Sequence, residues 1–199
     1  DQRFDTLSPG EQTRALLDRG LPAAQLLNVF SAFHEAIYFE QDKVRIRDAA
    51  YKVLARPEYR GDLCAAASQN DVFGRCAALS ALDDLAALPG EEGAAARAGI
   101  LACAGDSSKQ VQELLVNILA LHPDWAPDVA ALLQSKKAAE RLLAIQVAAR
   151  WGDTLRGALE TALATEKSAK VAEAIRAVLG QAASPSATPA GQPTPDQLA

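Results

Sequence analysis

A nine-residue pattern of apolar and polar positions recurs five times along the chain. In each copy, positions 1, 4, 5, 8 and 9 are apolar or small, with Glu140 as the exception. This spacing aligns the apolar side chains along one side of a helix, so each copy predicts a helix with one buried face. The copies begin 28 to 37 residues apart and occupy residues 46–54, 74–82, 111–119, 140–148 and 171–179.

Further apolar helical segments lie between these copies. We expect them near residues 10–19, 22–40, 58–68, 92–104, 125–134 and 154–165. The longest interval contains a Pro- and Gly-rich stretch at residues 88–93, which predicts a helix break and an enlarged loop. No segment alternates with period two, so the sequence predicts an all-α chain of ten or eleven antiparallel helices.

An acidic or cap-competent residue precedes each copy. Asp, Asn and Ser can accept hydrogen bonds from the free N–H groups of the first helical turn, and an acidic residue there suits the helix dipole. The residues in this place are Asp42, Asn70 or Asp71, Asp106, Ser135 and Glu166.

The copies resemble the second helix of HEAT-like repeats, which read Asp…Ile/Val-Arg-x-Ala-Ala-x-x-Ala/Val-Leu. The best matches are Asp42 with residues 46–50 and Asp71 with residues 75–78. The period of about 30 residues is similar to that of the short bacterial type, also found in phycobilin-lyase-like proteins. Copies three and five carry Gln112 and Ala172 where Arg is usual, so we do not expect a continuous Asp–Arg ladder.

The resemblance covers roughly residues 22–181 and implies a right-handed α-solenoid of about five antiparallel helix pairs plus an N-terminal helix. Repeats of this kind stack because one helix pair cannot bury its apolar stripe alone. We expect an N-terminal segment and capping helix at 1–21, the solenoid at 22–181, and a Pro/Ala-rich flexible tail at 182–199. In the central repeat, Leu115, Ile118 and Leu119 are the predicted core.

Positions 2 and 6 of the copies are the candidate binding groove. In HEAT-like solenoids the second helices line the concave face, so this column would form its floor. Two interpretations stay open: a groove for a protein partner, or arginines paired with turn acids beside a wider core. The candidate groove residues are Arg47, Tyr51, Arg75, Leu79, Val116, Arg141 and Ile145.

Eight of the ten aromatic residues fall in the first 73 positions. They indicate either a bulkier N-terminal core or a contact patch for a partner or adjoining domain, centred on Phe30, Phe33 and Phe39. A solenoid exposes an apolar face at each end unless a cap covers it. The C-terminal helix carries Lys167, Lys170, Glu173 and Arg176, so we expect the C-terminal end to be solvated and the N-terminal end to meet the neighbour.

The distribution of charge makes nucleic acid an unlikely main partner. The formal net charge is −5, and residues 61–106 hold two arginines against seven acids. Binding to phosphate backbones requires a basic stripe. The best basic run, from Lys43 to Arg60, is interleaved with acids. Another protein or an adjoining domain is therefore the expected partner, and the oligomeric state stays open.

No catalytic, cofactor or metal constellation emerges from the sequence. Cys64, Cys76 and Cys103 are too far apart for a CxxC site and indicate small buried residues. His34 lies in the aromatic helix, and His122 lies at a helix joint with Asp124 as a predicted cap and Trp125 as a predicted packing plug. No apolar run reaches about 20 residues, so no transmembrane segment is expected.

A non-catalytic protein-binding or scaffolding module is therefore the leading expectation. Two alternatives remain: a HEAT-like nucleic-acid enzyme similar to the alkylpurine DNA glycosylases, and a chromophore lyase or its chaperone. The acidic middle argues against the first, and the short repeat permits the second. The chain begins at Asp1 rather than Met, which indicates a processed product or an excised segment, and a cytoplasmic location is slightly favoured over export.

Overall fold

Regular structure is entirely helical in residues 4–27 and 53–182, the parts of the chain that the computed structural model describes. The all-α prediction is therefore confirmed for these residues. Copies two to five of the pattern each fall inside one helix. The first copy, at residues 46–54, lies almost wholly outside the described residues.

Nine helices lie within the described residues, and from residue 60 onward they follow one another through short turns. Short 3₁₀ turns occupy Phe4–Thr6, Pro57–Tyr59, Pro123–Trp125 and Gly152–Leu155, and residues 23–27 and 53–54 are also helical. The helices are α1 (Pro9–Asp18), α2 (Arg60–Gln69), α3 (Val72–Ala86), α4 (Glu91–Ala102), α5 (Lys109–Ala120), α6 (Ala126–Leu132), α7 (Ala138–Trp151), α8 (Arg156–Thr165) and α9 (Ala169–Ala182).

Side-chain caps fix the start of several helices. Ser8 and Glu11 form a capping box at α1, in which the Ser8 N–H donates to Glu11 Oε2 at 2.8 Å. At α3, Asp71 Oδ1 accepts from the Gly74 N–H at 2.8 Å, so the cap predicted at Asp71 is confirmed. At α5 the cap is Ser108 rather than the predicted Asp106, because Asp106 accepts the Ser108 N–H at 2.7 Å and shapes the turn instead.

The predicted caps also differ from the observed ones in the turns before α7 and α9. Glu166 accepts the Ser168 N–H at 2.7 Å and therefore braces the turn before α9 instead of capping the helix. The N-cap residue of α7 is Lys137, which makes no capping hydrogen bond, so the predicted cap Ser135 is also wrong. The Ser135 hydroxyl accepts from the Lys137 N–H at 3.1 Å, outside the helix.

The helices that contain the pattern form one row. We call α3, α5, α7 and α9 the second helices and α2, α4, α6 and α8 the first helices. Each second helix contacts the next along the chain, α3 with α5, α5 with α7, and α7 with α9. Three first helices contact the second helices of their own pairs, α2 with α3, α6 with α7 and α8 with α9, whereas α4 packs against α3 and α2 of the preceding pair. The second helices therefore lie side by side in one row.

The apolar positions of the pattern supply the core. Leu115, Ile118 and Leu119 are 0%, 4% and 1% exposed, so their predicted burial is confirmed. Position 1 of copy four, Glu140, stays half-buried at the surface, as its charge requires. The buried residues form one continuous cluster from Ala23 to Ile175. This continuity is what stacked helix pairs need, because each pair covers the apolar stripe of its neighbour.

The stretch 88–93 breaks the helix as predicted, since α3 ends at Ala86 and α4 begins at Glu91. Gly90 adopts φ +75°, and a Cβ on Gly93 would lie 2.0 Å from the Leu88 carbonyl oxygen. Both positions therefore require glycine. The enlarged loop explains only part of the long interval, because α3 and α4 have 15 and 12 residues, against seven in α6 and ten in α8.

Candidate protein-binding surface

The apolar residues of the predicted groove are core residues. Leu79, Val116 and Ile145 are 0%, 4% and 2% exposed. Each second helix packs against the next in the row, and these three side chains are buried in that arrangement. The prediction that these three side chains line an open groove is therefore wrong, because a partner could reach them only if the repeats separated.

The two described arginines of the groove prediction are held in ion pairs with turn acids. Arg141 donates from Nε to Glu166 Oε2 at 2.8 Å and from Nη2 to Oε1 at 3.2 Å. Its Nη1 donates to the Ser135 carbonyl oxygen at 2.7 Å. Because the Arg141 and Glu166 side chains are only 15% and 5% exposed, this pair joins two repeats and offers little to a partner.

Arg75 makes the equivalent connection two copies earlier in the chain, from α3 to the turn before α5. Its Nη2 donates to Asp106 Oδ1 at 3.3 Å, and its Nη1 donates to the Asn70 carbonyl oxygen at 2.7 Å. Its Nε lies 2.9 Å from Asp106 Oδ2 without the alignment of a hydrogen bond. For Arg75 and Arg141, the alternative that the column arginines pair with turn acids is therefore confirmed.

Gln112 interrupts the ladder, as its departure from the repeat pattern predicted. Its Nε2 donates to the carbonyl oxygens of Ala104 and Asp106, at 2.9 and 2.8 Å. These bonds fix the turn before α5, as Arg75 and Arg141 fix the turns before α3 and α7. The Gln112 side chain is neutral and shorter than that of arginine. Position 2 of copy three therefore forms no ion pair with an acidic residue in the turn before the next copy.

Hydrogen bonds hold two turn carboxylates in the charged form. The Ser168 N–H, and after it Arg141, lower the pKa of Glu166, although burial acts in the opposite direction. At Glu140 the Ser135 hydroxyl, and after it Lys137, lower the pKa. Glu166 lies in the turn that leads into α9 and Glu140 in the first turn of α7, so a charged carboxylate stands at the start of each of these helices at neutral pH.

The exposed face of the second helices lies one residue further along the pattern than the predicted column. Positions 3 and 7 are exposed or half-exposed in every described copy. One residue turns a helix by about 100°, which moves a side chain from the contact between repeats to the open surface. We call this surface the second-helix face, and its residues are Cys76, Ser80, Glu113, Asn117, Leu142, Gln146, Glu173 and Ala177.

Sequence reasoning missed this face although a signal was present. Position 7 is polar in four of the five copies, as Lys52, Ser80, Asn117 and Gln146. A polar residue repeated between apolar positions 4, 5, 8 and 9 indicates the solvent side of a helix. The search for arginine and aromatic residues favoured positions 2 and 6 instead.

The opposite ends of the second helices carry a second set of connections between repeats. His122 Nε2 lies 2.7 Å from Asp83 Oδ1, and the Trp151 Nε1–H donates to the Ala120 carbonyl oxygen at 3.0 Å. In both cases the third residue after one copy reaches the first residue after the preceding copy. These side chains therefore tie successive helices at their C-terminal ends.

Trp125 is a packing residue, as predicted. It is 3% exposed, stacks on His122 with a centroid distance of 4.0 Å, and lies 5.7 Å from the Arg97 guanidinium carbon. Asp124 is exposed and caps nothing, so that prediction is wrong: the turn is a 3₁₀ helix whose N-cap residue is His122. The stacked rings of His122 and Trp125 therefore pack the turn between α5 and α6.

The remaining predicted site residues lie outside the described part of the chain. These are Arg47 and Tyr51 of the groove and Phe30, Phe33 and Phe39 of the N-terminal patch, together with His34. At the other end, Lys167, Lys170, Glu173 and Arg176 are all exposed, which confirms that this outer surface is solvated.

Within the described residues, no three His, Cys, Asp or Glu side chains come together as metal ligands would. None of the cysteines Cys64, Cys76 and Cys103 takes part in a disulfide. Burial, and after it the charge of Asp106, raises the pKa of Cys103 to about 11. Cys103 is therefore protonated at neutral pH and behaves as a small packing residue.

No helix in the part of the chain that the structure describes is both long and apolar enough to cross a membrane. Comparisons with known proteins add no family: neither a family model, nor a curated protein, nor a solved structure matches the chain.

Proposed function

We propose that this chain is a non-catalytic protein-binding or scaffolding module whose second-helix face receives the partner. The observation that carries the proposal is the row of second helices. Successive helices present side chains from the same pattern positions, and these side chains are exposed or half-exposed in every described copy. A flat polar row of this kind suits a partner that lies across several repeats.

The architecture proposed with this function is a right-handed HEAT-like solenoid. Its support is the regularity of the connections between repeats. Arg75 with Asp106 and Arg141 with Glu166 join position 2 of a copy to the turn before the next copy. A crystal structure of the chain would test the handedness. A left-handed or closed helix array would contradict this part of the proposal.

The chemistry of the second-helix face favours a protein over an apolar ligand. Asn117 and Gln146 are exposed amides that can both donate and accept hydrogen bonds, as a peptide backbone requires. Leu142, one helical turn before Gln146, is half-exposed and adds a modest apolar contact. Polar surface around a small apolar centre is the usual anatomy of a non-obligate protein interface.

The test is recovery of the partner from the native host with matched variants. We expect the tagged wild type to recover a specific protein and the Asn117→Arg/Gln146→Arg variant to lose it. The control is Ala98→Arg/Ala131→Arg, which places the same charges on exposed positions of first helices. If control and face variant lose the protein equally, or if the wild type recovers none, the proposal is wrong.

A further inference from the structure

The lysines of the described residues all lie at one edge of the molecule. Five lysines occur there, and each sits in the turn or first helical turn that leads into a second helix. The opposite ends of the second helices carry no lysine within the described part. The five are Lys109, Lys136, Lys137, Lys167 and Lys170.

Helix stability does not explain this placement. The N-terminal end of a helix carries a partial positive charge, so a lysine there is destabilising by a few tenths of a kcal/mol or more. Helices α5 and α9 have no acidic residue in the first turn to offset it. A charge that opposes the helix dipole in three successive repeats indicates a use outside the fold.

Three of these lysines have no ionic partner among the described residues. Lys109 pairs with Glu113 at 3.6 Å, and Lys137 pairs with Glu140 at 3.0 Å. Lys136, Lys167 and Lys170 form no such pair, and all three are exposed. Their charges are therefore available to a ligand.

Two of the free lysines flank a cavity. The space measures about 330 Å³ and lies between the turn before α7 and the turn before α9. Lys136 and Lys167 line it from the two turns, and Arg141 and Glu166 line it from the bidentate ion pair. Arg141 already compensates the charge of Glu166. The two lysines therefore give the cavity its net positive charge.

We propose that this cavity receives an acidic side chain of the bound protein. The inference rests on the proposed function and names the chemistry of one contact. Ammonium groups from two turns can donate to both oxygens of one carboxylate, and such charge-assisted bonds are among the stronger ones in interfaces. Leu142 of the second-helix face follows Arg141 directly in α7.

The observations favour an acidic peptide over nucleic acid. The same edge also carries Glu113, Glu140 and Glu173, and the whole chain has a formal net charge of −5. A phosphate backbone would meet these acids along its length, whereas one acidic side chain meets only the cavity.

The experiment is fluorescence anisotropy with a fluorescein-labelled peptide of about ten glutamates at low salt, where ionic contacts are least screened. We expect saturable binding that weakens with salt, and a loss of about tenfold or more in Lys136→Glu/Lys167→Glu. Lys109→Glu, on the same edge but away from the cavity, should change the affinity less than about twofold. Circular dichroism confirms that these surface variants remain folded.

Three results would overturn the inference. The first is no saturable binding of the peptide. The second is an equal loss in Lys109→Glu, which would show a diffuse charge effect. The third is tighter binding of duplex DNA or inorganic phosphate than of the peptide, lost in the same double variant. If Asn117→Arg/Gln146→Arg loses the native partner while the peptide does not bind, the proposed function stands and only this inference fails.

Discussion

Arg141 and Glu166 join α7 to the turn before α9 through two parallel charge-assisted hydrogen bonds, 2.8 and 3.2 Å long. The same guanidinium donates to the Ser135 carbonyl oxygen at 2.7 Å, so one side chain fixes the turns on both sides of a repeat. The two side chains are only 15% and 5% exposed, so each charge depends on the other for much of its compensation.

Removal of this guanidinium is expected to destabilise the protein strongly. Arg141→Ala should lower the free energy of unfolding by about 3 kcal/mol, because the buried Glu166 carboxylate would lose its cation. The matched control is Arg150→Ala at the exposed end of α7, with an expected loss below about 1 kcal/mol. Urea denaturation measures both, and equal losses would show that the ion pair contributes nothing to stability.

Acid should weaken the fold through the turn carboxylates. The pKa of Glu166 is lowered in the folded state from an ordinary value of 4.5, so the folded chain binds fewer protons than the unfolded chain below that pH. The stabilising contribution is therefore complete above about pH 5 and declines as the pH falls through the folded pKa. Urea denaturation from pH 7 to pH 3 should show a shallower decline in Glu166→Gln. An unchanged slope would exclude this carboxylate as a source of the acid sensitivity.

Truncation of the central core should cost far more than truncation at the surface. Leu115 is fully buried, so Leu115→Ala should destabilise by about 2–5 kcal/mol through loss of apolar burial and a residual cavity. Leu121, six residues from it, is 75% exposed outside the same helix, and Leu121→Ala should change stability by less than about 0.5 kcal/mol. A loss below about 1 kcal/mol for Leu115→Ala would mean that the site is not packed as described.

Two glycines in helices should respond oppositely to a methyl group. Gly93→Ala places a Cβ 2.0 Å from the Leu88 carbonyl oxygen, so the tight turn before α4 must open. Gly157→Ala in α8 meets nothing within 4 Å and should be neutral or stabilising by up to about 1 kcal/mol. Thermal melts of the two variants should therefore shift in different directions, and a stabilised Gly93→Ala would contradict the turn geometry.

Burial along each second helix could be predicted because it follows from the helix period alone. The core residues Leu115, Ile118 and Leu119 sit three or four positions apart, and a helix places such residues on one side whatever the neighbours are. The helix break at Pro89 and Gly90 follows in the same way from backbone chemistry. The solvated outer surface near Lys170 and Glu173 could also be predicted from the local sequence, because charged side chains stay in water.

The sequence could not decide which side of the apolar stripe on each second helix is covered by a neighbouring helix. Position 6 is apolar at Leu79, Val116 and Ile145, and that composition fits either a groove floor or a contact between repeats. The row of second helices decides for burial, because each helix lies against the next. In the last described second helix, the same position is Arg176 and is exposed.

The sequence by itself therefore determined the helices, their apolar stripes and the polar C-terminal surface, all of which depend on residues within one or two turns. The tertiary structure alone decided the roles of Arg75 and Arg141, because their acidic partners lie 31 and 25 residues away. It also brought Lys136 and Lys167 to one cavity. Such contacts depend on how far successive repeats are displaced and rotated, and packing of the whole row sets that geometry.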